Sequence, residues 1–255
     1  IRRAESLRRG IVLYLVIAMI SVQSLMVLDG APLENLPRRL LIVLLLLVLP
    51  SAGTALGLVL WRRLALPPLN PDQEMSAGGL EPIWIGLAAF VLWASGYFAV
   101  GVLTAHRSMH SLYTPLDTPI PYWPRTVFVY LTVYPLFLLG FFAQPTGRQA
   151  RRLFVAMFTM LALNYALMLL YPVATSRPAA AGPAFTRWVM TILHGNDPPH
   201  NCFPSSHCSV SLLAALATWT SRQRWLKFYT LLVALSISLI TLTTSPTNAT
   251  AMASL

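Results

Sequence analysis

The stretch "TVFVYLTVYPLFLLGFFA", Thr126–Ala143, decides the fold class because it is long, apolar and free of charged side chains. A helix of about 18 or more apolar residues crosses a hydrocarbon core of about 30 Å. Comparable runs recur along a chain that is 56% hydrophobic and 10% charged. The runs are continuous rather than alternating, which favours helices over the strands of a barrel. The sequence therefore predicts an all-α, polytopic membrane helical bundle.

Seven apolar runs give the predicted spans. They are Ile11–Leu28, Leu40–Trp61, Pro82–Leu103, Thr126–Ala143, Leu153–Tyr171, His207–Thr220 and Trp225–Thr243. The first is an N-terminal extra span or anchor, which leaves about six core spans. The sixth is short, so we expect Asn201–Ser206 to reach bilayer depth where these residues line a cavity. In the longest loop, Phe185–Leu193 predicts a short amphipathic helix along the membrane surface.

Basic residues mark the membrane topology. The net charge of +10 does not form one patch, because the basic residues sit in short clusters between apolar runs, which argues against nucleic-acid binding. With the N-terminus in the cytoplasm, segments 1–10, 62–81, 144–152 and 221–227 are inside and carry 12 of the 18 Lys and Arg residues. The excess of basic residues inside places loop 172–206 on the extracytoplasmic side.

Two short motifs carry the chemistry. "YPVATSRP", Tyr171–Pro178, closes the fifth span, and "CFPSSHCSVS", Cys202–Ser211, opens the sixth. Two spans joined by one loop place both motifs on the same face of the membrane. Arg177 offers a planar fork of donors for phosphate oxygens. Free N–H groups and the dipole at a helix start also favour an anion, and Ser205 and Ser206 lie at that start.

His207 completes the predicted site. A histidine titrates near neutral pH and can protonate a leaving oxygen. The set Arg177, Ser205, Ser206 and His207 therefore suits phosphoryl transfer. Taken singly, each residue has a plainer interpretation: Arg177 could be an interfacial arginine, Ser205 an N-cap and His207 a helix-start residue without a role.

Arg-Pro closing one span and Pro-Ser-x-His opening the next resemble the first two motifs of the type 2 phosphatidic acid phosphatase superfamily. "NDPPHNCFPSSHCSVS", Asn196–Ser211, and "YTPLDTPIPYWPRTVFVYLTVYPL", Tyr113–Leu136, look more like its inositol phosphorylceramide synthase-like and sphingomyelin synthase-like branch. The resemblance covers roughly residues 105–244 of the chain. It divides the chain into residues 1–103, about three spans of unassigned role, and 104–255, a phosphatase-like membrane core altered at 245–255.

The resemblance implies roles for the site residues. Arg177, Ser205 and the backbone around Ser206 would bind phosphate, and His207 would be the general acid. The substrate would be a lipid phosphate or phosphodiester drawn from the membrane lipids. Intact relatives would form a phosphohistidine without a metal or other cofactor.

The sequence departs from the family's pattern at two places. Leu170 stands where the first motif begins with a basic residue. More seriously, the third motif should supply a nucleophilic His and an orienting Asp, and Thr247 and Ala251 stand at those positions. No histidine follows His207 in the sequence. We therefore expect no phosphatase activity from the chain as given.

Three explanations of this departure stay open. They are a frame slip or truncation that removed the third motif, a natural non-catalytic relative, and the use of His200 as nucleophile. We favour the first, because the composition changes abruptly at Ser245–Leu255. A non-enzymatic membrane protein that binds lipid head groups or a partner is the alternative function.

Two residue pairs have the composition of a disulfide or of part of a metal site. Cys202 and Cys208 could form a disulfide, but their positions on a loop and a helix start favour free thiols. His106 and His110 have the spacing of one face of a metal site, but no third ligand is evident in the sequence. We therefore predict no metal. Whether the protein oligomerises is not encoded in these patterns.

Overall fold

A computed structural model of the chain describes residues 2–28, 80–111, 122–175, 177–197, 199–221 and 223–244. These residues form α-helices with two short 3-10 turns and no strand, which confirms the predicted all-α class. The helices are α1 (Arg2–Leu28), α2 (Glu81–Thr104), α3 (Val127–Tyr130), α4 (Val133–Phe142), α5 (Gly147–Leu170), α6 (Ala184–Asn196), α7 (Ser206–Ala217) and α8 (Arg224–Thr244); the 3-10 turns are Pro124–Thr126 and Thr218–Thr220.

Five segments of the described residues are long and apolar enough to cross a membrane, which indicates an integral membrane protein. They are Ser6–Gln23, Glu81–Thr104, Pro124–Phe142, Gly147–Leu170 and Arg224–Thr241. Each overlaps a predicted span. The predicted span Leu40–Trp61 lies outside the described residues, as does the altered stretch 245–255.

The predicted sixth span, His207–Thr220, agrees with the structure to within one residue. Helix α7 has 12 residues, Ser206–Ala217, and extends about 18 Å, and the 3-10 turn Thr218–Thr220 continues it. The hydroxyls of Thr218 and Thr220 bond back to the carbonyls of Ala215 and Ala217 in this turn. As the sequence indicates, α7 is short compared with the thickness of a bilayer core.

The predicted fourth span is interrupted at Leu131 and Thr132, between α3 and α4. Pro135 explains the interruption. A proline ring collides with the carbonyl of the residue four positions earlier, here Leu131, and tolerates only the first turn of a helix. The chain therefore restarts its helix at Val133, which places Pro135 in that first turn.

Helix α4 is the centre of the bundle. It contacts α1, α2, α7 and α8. Phe137, Phe141, Leu136 and Leu139 on α4 are fully buried. The outer helices instead direct large apolar side chains outward, such as Val102 of α2 and Leu239 of α8, each about two-thirds exposed or more. An apolar exterior of this kind suits contact with lipid chains.

The starts of α1, α2 and α5 lie at the same end of the bundle. Arg8 near the start of α1 donates to the carbonyl of Gln144 at 2.5 Å. Arg151 of α5 forms an ion pair with Glu81 at the start of α2.

Helix α5 starts earlier than predicted because Thr146 caps it, accepting from the backbone N–H of Gln149 at 3.2 Å.

A glycine allows α2 to approach α4 closely. A β-carbon built on Gly86 would lie 2.7 Å from Cβ of Phe141. Glycine costs a helix about 1 kcal/mol relative to alanine, whereas overpacking costs about 1–3 kcal/mol. We expect Gly86→Ala to lower the midpoint of thermal unfolding of the purified protein by several degrees. The midpoint is measured with a fluorescent dye that does not react with thiols.

Gly195 on α6 provides the matched control, because a β-carbon there would have no neighbour within 4 Å. Gly195→Ala should leave the midpoint unchanged or raise it slightly. Equal midpoints for Gly86→Ala and the parent protein would contradict the close packing of α2 on α4.

Candidate functional site

The two predicted motifs come together at the end of the bundle opposite the basic cluster. Val173, which follows α5, forms isolated bridges with His110 and with Asn201. The N–H of Cys202 donates to the carbonyl of Val173 at 3.2 Å. These contacts place the segment that carries Arg177 beside the segment that leads into α7. The two motifs therefore lie at the same end of the bundle.

Arg177 forms an ion pair that the sequence analysis did not predict. Its Nη2 lies 2.6 Å from Oδ2 of Asp197, and its Nη1 lies 2.5 Å from the carbonyl oxygen of the same residue. The side chains are only 15% and 18% exposed. The other carboxylate oxygen of Asp197 accepts from the hydroxyl of Tyr97 on α2 at 2.7 Å. Asp197 therefore connects the arginine to the bundle.

His207 lies in the first turn of α7 and is buried by aromatic side chains. The hydroxyl of Tyr130 is 3.0 Å from both imidazole nitrogens, so which nitrogen it pairs with depends on the tautomer. The rings of Trp93, Tyr97 and Tyr134 have their centroids within 6.3 Å of the imidazole. This surrounding holds the imidazole in a fixed orientation.

The two serines have different surroundings. The side chain of Ser205 is the N-cap of α7 and accepts from the N–H of Cys208 at 3.3 Å. Ser206 is 1% exposed, and its hydroxyl oxygen has no hydrogen-bond partner. A buried hydroxyl without a partner is costly, so Ser206 has unused hydrogen-bonding capacity at the start of α7.

A cavity of about 90 Å³ lies beside His207. Its wall carries the carboxylate of Asp197, the imidazole of His207 and the phenols of Tyr97 and Tyr134, and is otherwise mainly apolar. The lining residues are Phe90, Trp93, Ala94, Tyr97, Phe98, Tyr134, Leu193, Asn196, Asp197 and His207. At roughly 10–15 Å³ of accessible volume for each water, the cavity has room for a small polar group.

Charge in the site is balanced by Arg177 and Asp197. Both lie close enough to His207 to act on it electrostatically. Burial lowers the pKa of His194 on α6, and the guanidinium of Arg177 lowers it further, while Asp197 opposes the shift. The shift therefore favours the neutral form of His194 beside the cationic Arg177.

The other groups considered in the sequence have contacts of their own. Cys202 and Cys208 are both free thiols. His110 stacks on Tyr171 with ring centroids 4.0 Å apart, and His106 is exposed. Within the described ranges no group of three or more His, Cys, Asp or Glu side chains could hold a metal ion. His200 pairs with the carbonyl of Gly101 at 2.7 Å.

Sequence reasoning missed Asp197, Tyr97 and Tyr130. Asp197 lies inside the quoted stretch Asn196–Ser211, and it is one of only eight acidic residues in the chain, which is the signal that could have found it. Nothing in the apolar pattern of α2 or α3 distinguishes Tyr97 or Tyr130 from aromatic residues that face lipid.

Comparison of the chain with family models, with curated proteins and with solved structures finds no match. The helices and the site identify the class as an integral membrane helical bundle with a buried histidine and an ion-paired arginine at one end. The function is therefore argued from these residues.

The surroundings of Cys202 give a test of this geometry. Burial raises the pKa of its thiol, and Asp197 adds to the rise, while the contacts with Thr175 and the guanidinium of Arg177 act in the opposite direction. The thiolate is the reactive form, so a raised pKa slows alkylation at neutral pH. We expect Cys202 in a Cys208→Ala protein to react slowly with a maleimide at pH 7 and to accelerate as the pH rises towards 10.

A thiol at the exposed position of Ser108, in a protein lacking both native cysteines, serves as the reference. It should react several times faster at pH 7 under the same conditions. Equal rates for the two thiols across the pH range would show that Cys202 is not held in the described environment.

Proposed function

We propose that this chain binds the phosphate of a membrane lipid and has the phosphate-recognition half of a lipid phosphatase or phosphotransferase. The observation that carries the proposal is the position of Arg177, which lies close enough to the buried His207 in the first turn of α7 to act on it electrostatically. A cation with a fork of donors, a helix N-terminus and an imidazole are the groups that bind a phosphate ester and protonate its leaving oxygen.

Ser205 and Ser206 fit the same role. The first turn of α7 has backbone N–H groups that the helix itself does not use. The cap on Cys208 fixes that turn, and the buried hydroxyl of Ser206 offers a further donor. A phosphate group bound there would also gain from the helix dipole.

Turnover needs a nucleophile as well as a binding site. No histidine follows His207 in the sequence, and Thr247 and Ala251, which stand at the family's His and Asp positions, lie outside the described residues. His200 is already paired with a backbone carbonyl. We therefore propose that these 255 residues hold a lipid phosphate or phosphodiester without cleaving it. The alternative is a non-enzymatic protein that uses the same pocket for head groups or a partner.

The proposal includes an orientation in the membrane. The N-terminus lies in the cytoplasm, about six core spans accompany the N-terminal span, and the site faces the extracytoplasmic side. Its support is the separation of charge: Arg148, Arg152 and Arg224 are exposed at the end opposite Arg177. Lys and Arg are enriched in cytoplasmic segments of membrane proteins.

A binding experiment tests the role of Arg177. Purified protein in nanodiscs is titrated with dioctanoyl phosphatidate, with dioctanoylglycerol as the ligand that lacks phosphate. We expect binding of the phosphatidate alone, and a loss of at least tenfold in affinity for Arg177→Gln, since hydrogen bonds to charged groups contribute about 1.5–3 kcal/mol. Arg177→Lys should recover part of the loss, because it restores the charge without the fork.

The exposed Arg187 provides the control, because it lies on the same loop and carries the same charge. Arg187→Gln should bind phosphatidate as the parent protein does. Equal binding of phosphatidate by the parent and Arg177→Gln would refute the proposed site. Release of phosphate by the purified chain, lost in Arg177→Ala, would refute the proposed absence of turnover.

A further inference from the structure

Helix α6 covers the cavity beside His207. Its last turn contributes Leu193 and Asn196 to the cavity wall, followed directly by Asp197. Trp188 and Ile192 on the same helix are exposed, which leaves an apolar face turned away from the bundle. The helix therefore separates the cavity from the surroundings of the protein at this end.

Helix α6 is attached differently at its two ends. Near its start, the ring of Phe185 stacks on Phe128 with centroids 5.7 Å apart, and Met190 is fully buried against the same cluster. At its C-terminal end Leu193 also packs against that cluster, and polar contacts hold the residues that follow. Arg177 donates to the carbonyls of His194 and Asp197, at 3.4 and 2.5 Å, and pairs with the carboxylate of Asp197.

These polar contacts use the same donors that the proposed phosphate site needs. The Nη2 group of Arg177 meets Oδ2 of Asp197 at 2.6 Å, where it would otherwise meet a phosphate oxygen. A carboxylate and a phosphate repel each other strongly at such distances in a partly buried site. The two anions therefore compete for the guanidinium.

We propose that the Arg177–Asp197 pair is a latch that holds α6 closed over the cavity and that the phosphate of an entering lipid releases it. The inference rests on the proposed function, because it assigns the competing anion to the same site. In the closed state Asp197 occupies the position of the phosphate. When a phosphate group binds Arg177, Asp197 loses its cationic partner and keeps the hydroxyl of Tyr97, and the C-terminal end of α6 loses its attachment to the loop after α5.

A latch of this kind reduces the apparent affinity for the ligand. If only a small fraction of molecules is open, the apparent dissociation constant rises by the inverse of that fraction. Removing the charge of Asp197 should therefore tighten binding of a phosphate lipid. Asp197→Asn retains an oxygen that can accept from Tyr97, whose hydroxyl lies 2.7 Å from Oδ1, so it changes the pair with Arg177 in particular.

The first experiment compares dioctanoyl phosphatidate binding by the parent protein, Asp197→Asn and Glu81→Gln in nanodiscs. Glu81 forms an ion pair with Arg151 at the opposite end of the bundle, so Glu81→Gln removes a comparable charge away from the site. We expect Asp197→Asn to bind about tenfold more tightly and Glu81→Gln to bind as the parent does. Unchanged or weaker binding by Asp197→Asn overturns the latch.

The second experiment measures opening without a ligand. Ala94 lines the cavity, so Ala94→Cys in a protein lacking both native cysteines reports access beneath α6. We expect Asp197→Asn to accelerate its alkylation by a water-soluble maleimide about tenfold, while a thiol at the exposed Ser108 keeps its rate. If the cysteine at position 94 is alkylated at the same rate with and without Asp197→Asn, the latch is overturned. This outcome holds even if Asp197→Asn lowers the stability of the protein.

The two proposals fail in distinguishable ways. If neither the parent nor Asp197→Asn binds phosphatidate, the proposed function is wrong. If the parent binds and Arg177→Gln does not, but Asp197→Asn is neither tighter nor more accessible at position 94, the site stands and the latch is wrong.

Discussion

The arrangement of the site depends on the contacts that the carboxylate of Asp197 makes. It pairs with Arg177 from the segment after α5, and it accepts from Tyr97 on α2 at 2.7 Å. Both charges are largely buried, and a buried charge that loses its partner costs several kcal/mol. The pair therefore fixes where the C-terminal end of α6 lies and, with it, one wall of the cavity beside His207.

The remainder of the bundle follows from the needs of a chain in an apolar solvent. Long helices satisfy their own backbone groups, so α1, α2, α5 and α8 are continuous. The central segment is buried by its neighbours and accommodates the interruption that Pro135 imposes. The short helix α7 is enclosed by α4, α5 and α8, which allows its start, with Ser206 and His207, to lie inside the protein.

Local sequence patterns predicted the positions of the helices. Apolar runs located the long helices, the amphipathic stretch became α6, and Pro204 with Ser205 marked the start of α7. The predicted sixth span also matched α7 and its 3-10 turn, Ser206–Thr220, but the change from α-helix to 3-10 turn, where the terminal threonines bond back to carbonyls, is not visible in hydropathy. The contacts that build the site join residues far apart in sequence: Tyr97 and Asp197 are 100 residues apart, and Tyr130 and His207 are 77 apart. No periodic pattern encodes such pairs, although membership of one loop did bring Arg177 near His207.

The central claim is that Arg177 is a phosphate-binding residue, held by Asp197 until a phosphate lipid arrives. Solid-state NMR can measure the dipolar coupling between the phosphorus of bound dioctanoyl phosphatidate and the ¹⁵N-labelled guanidinium nitrogens in membranes. The account predicts a phosphorus–nitrogen distance of about 4 Å, as hydrogen bonds from an arginine to a phosphate require. Bound lipid without measurable coupling to Arg177, while the guanidinium remains paired with Asp197, would contradict it.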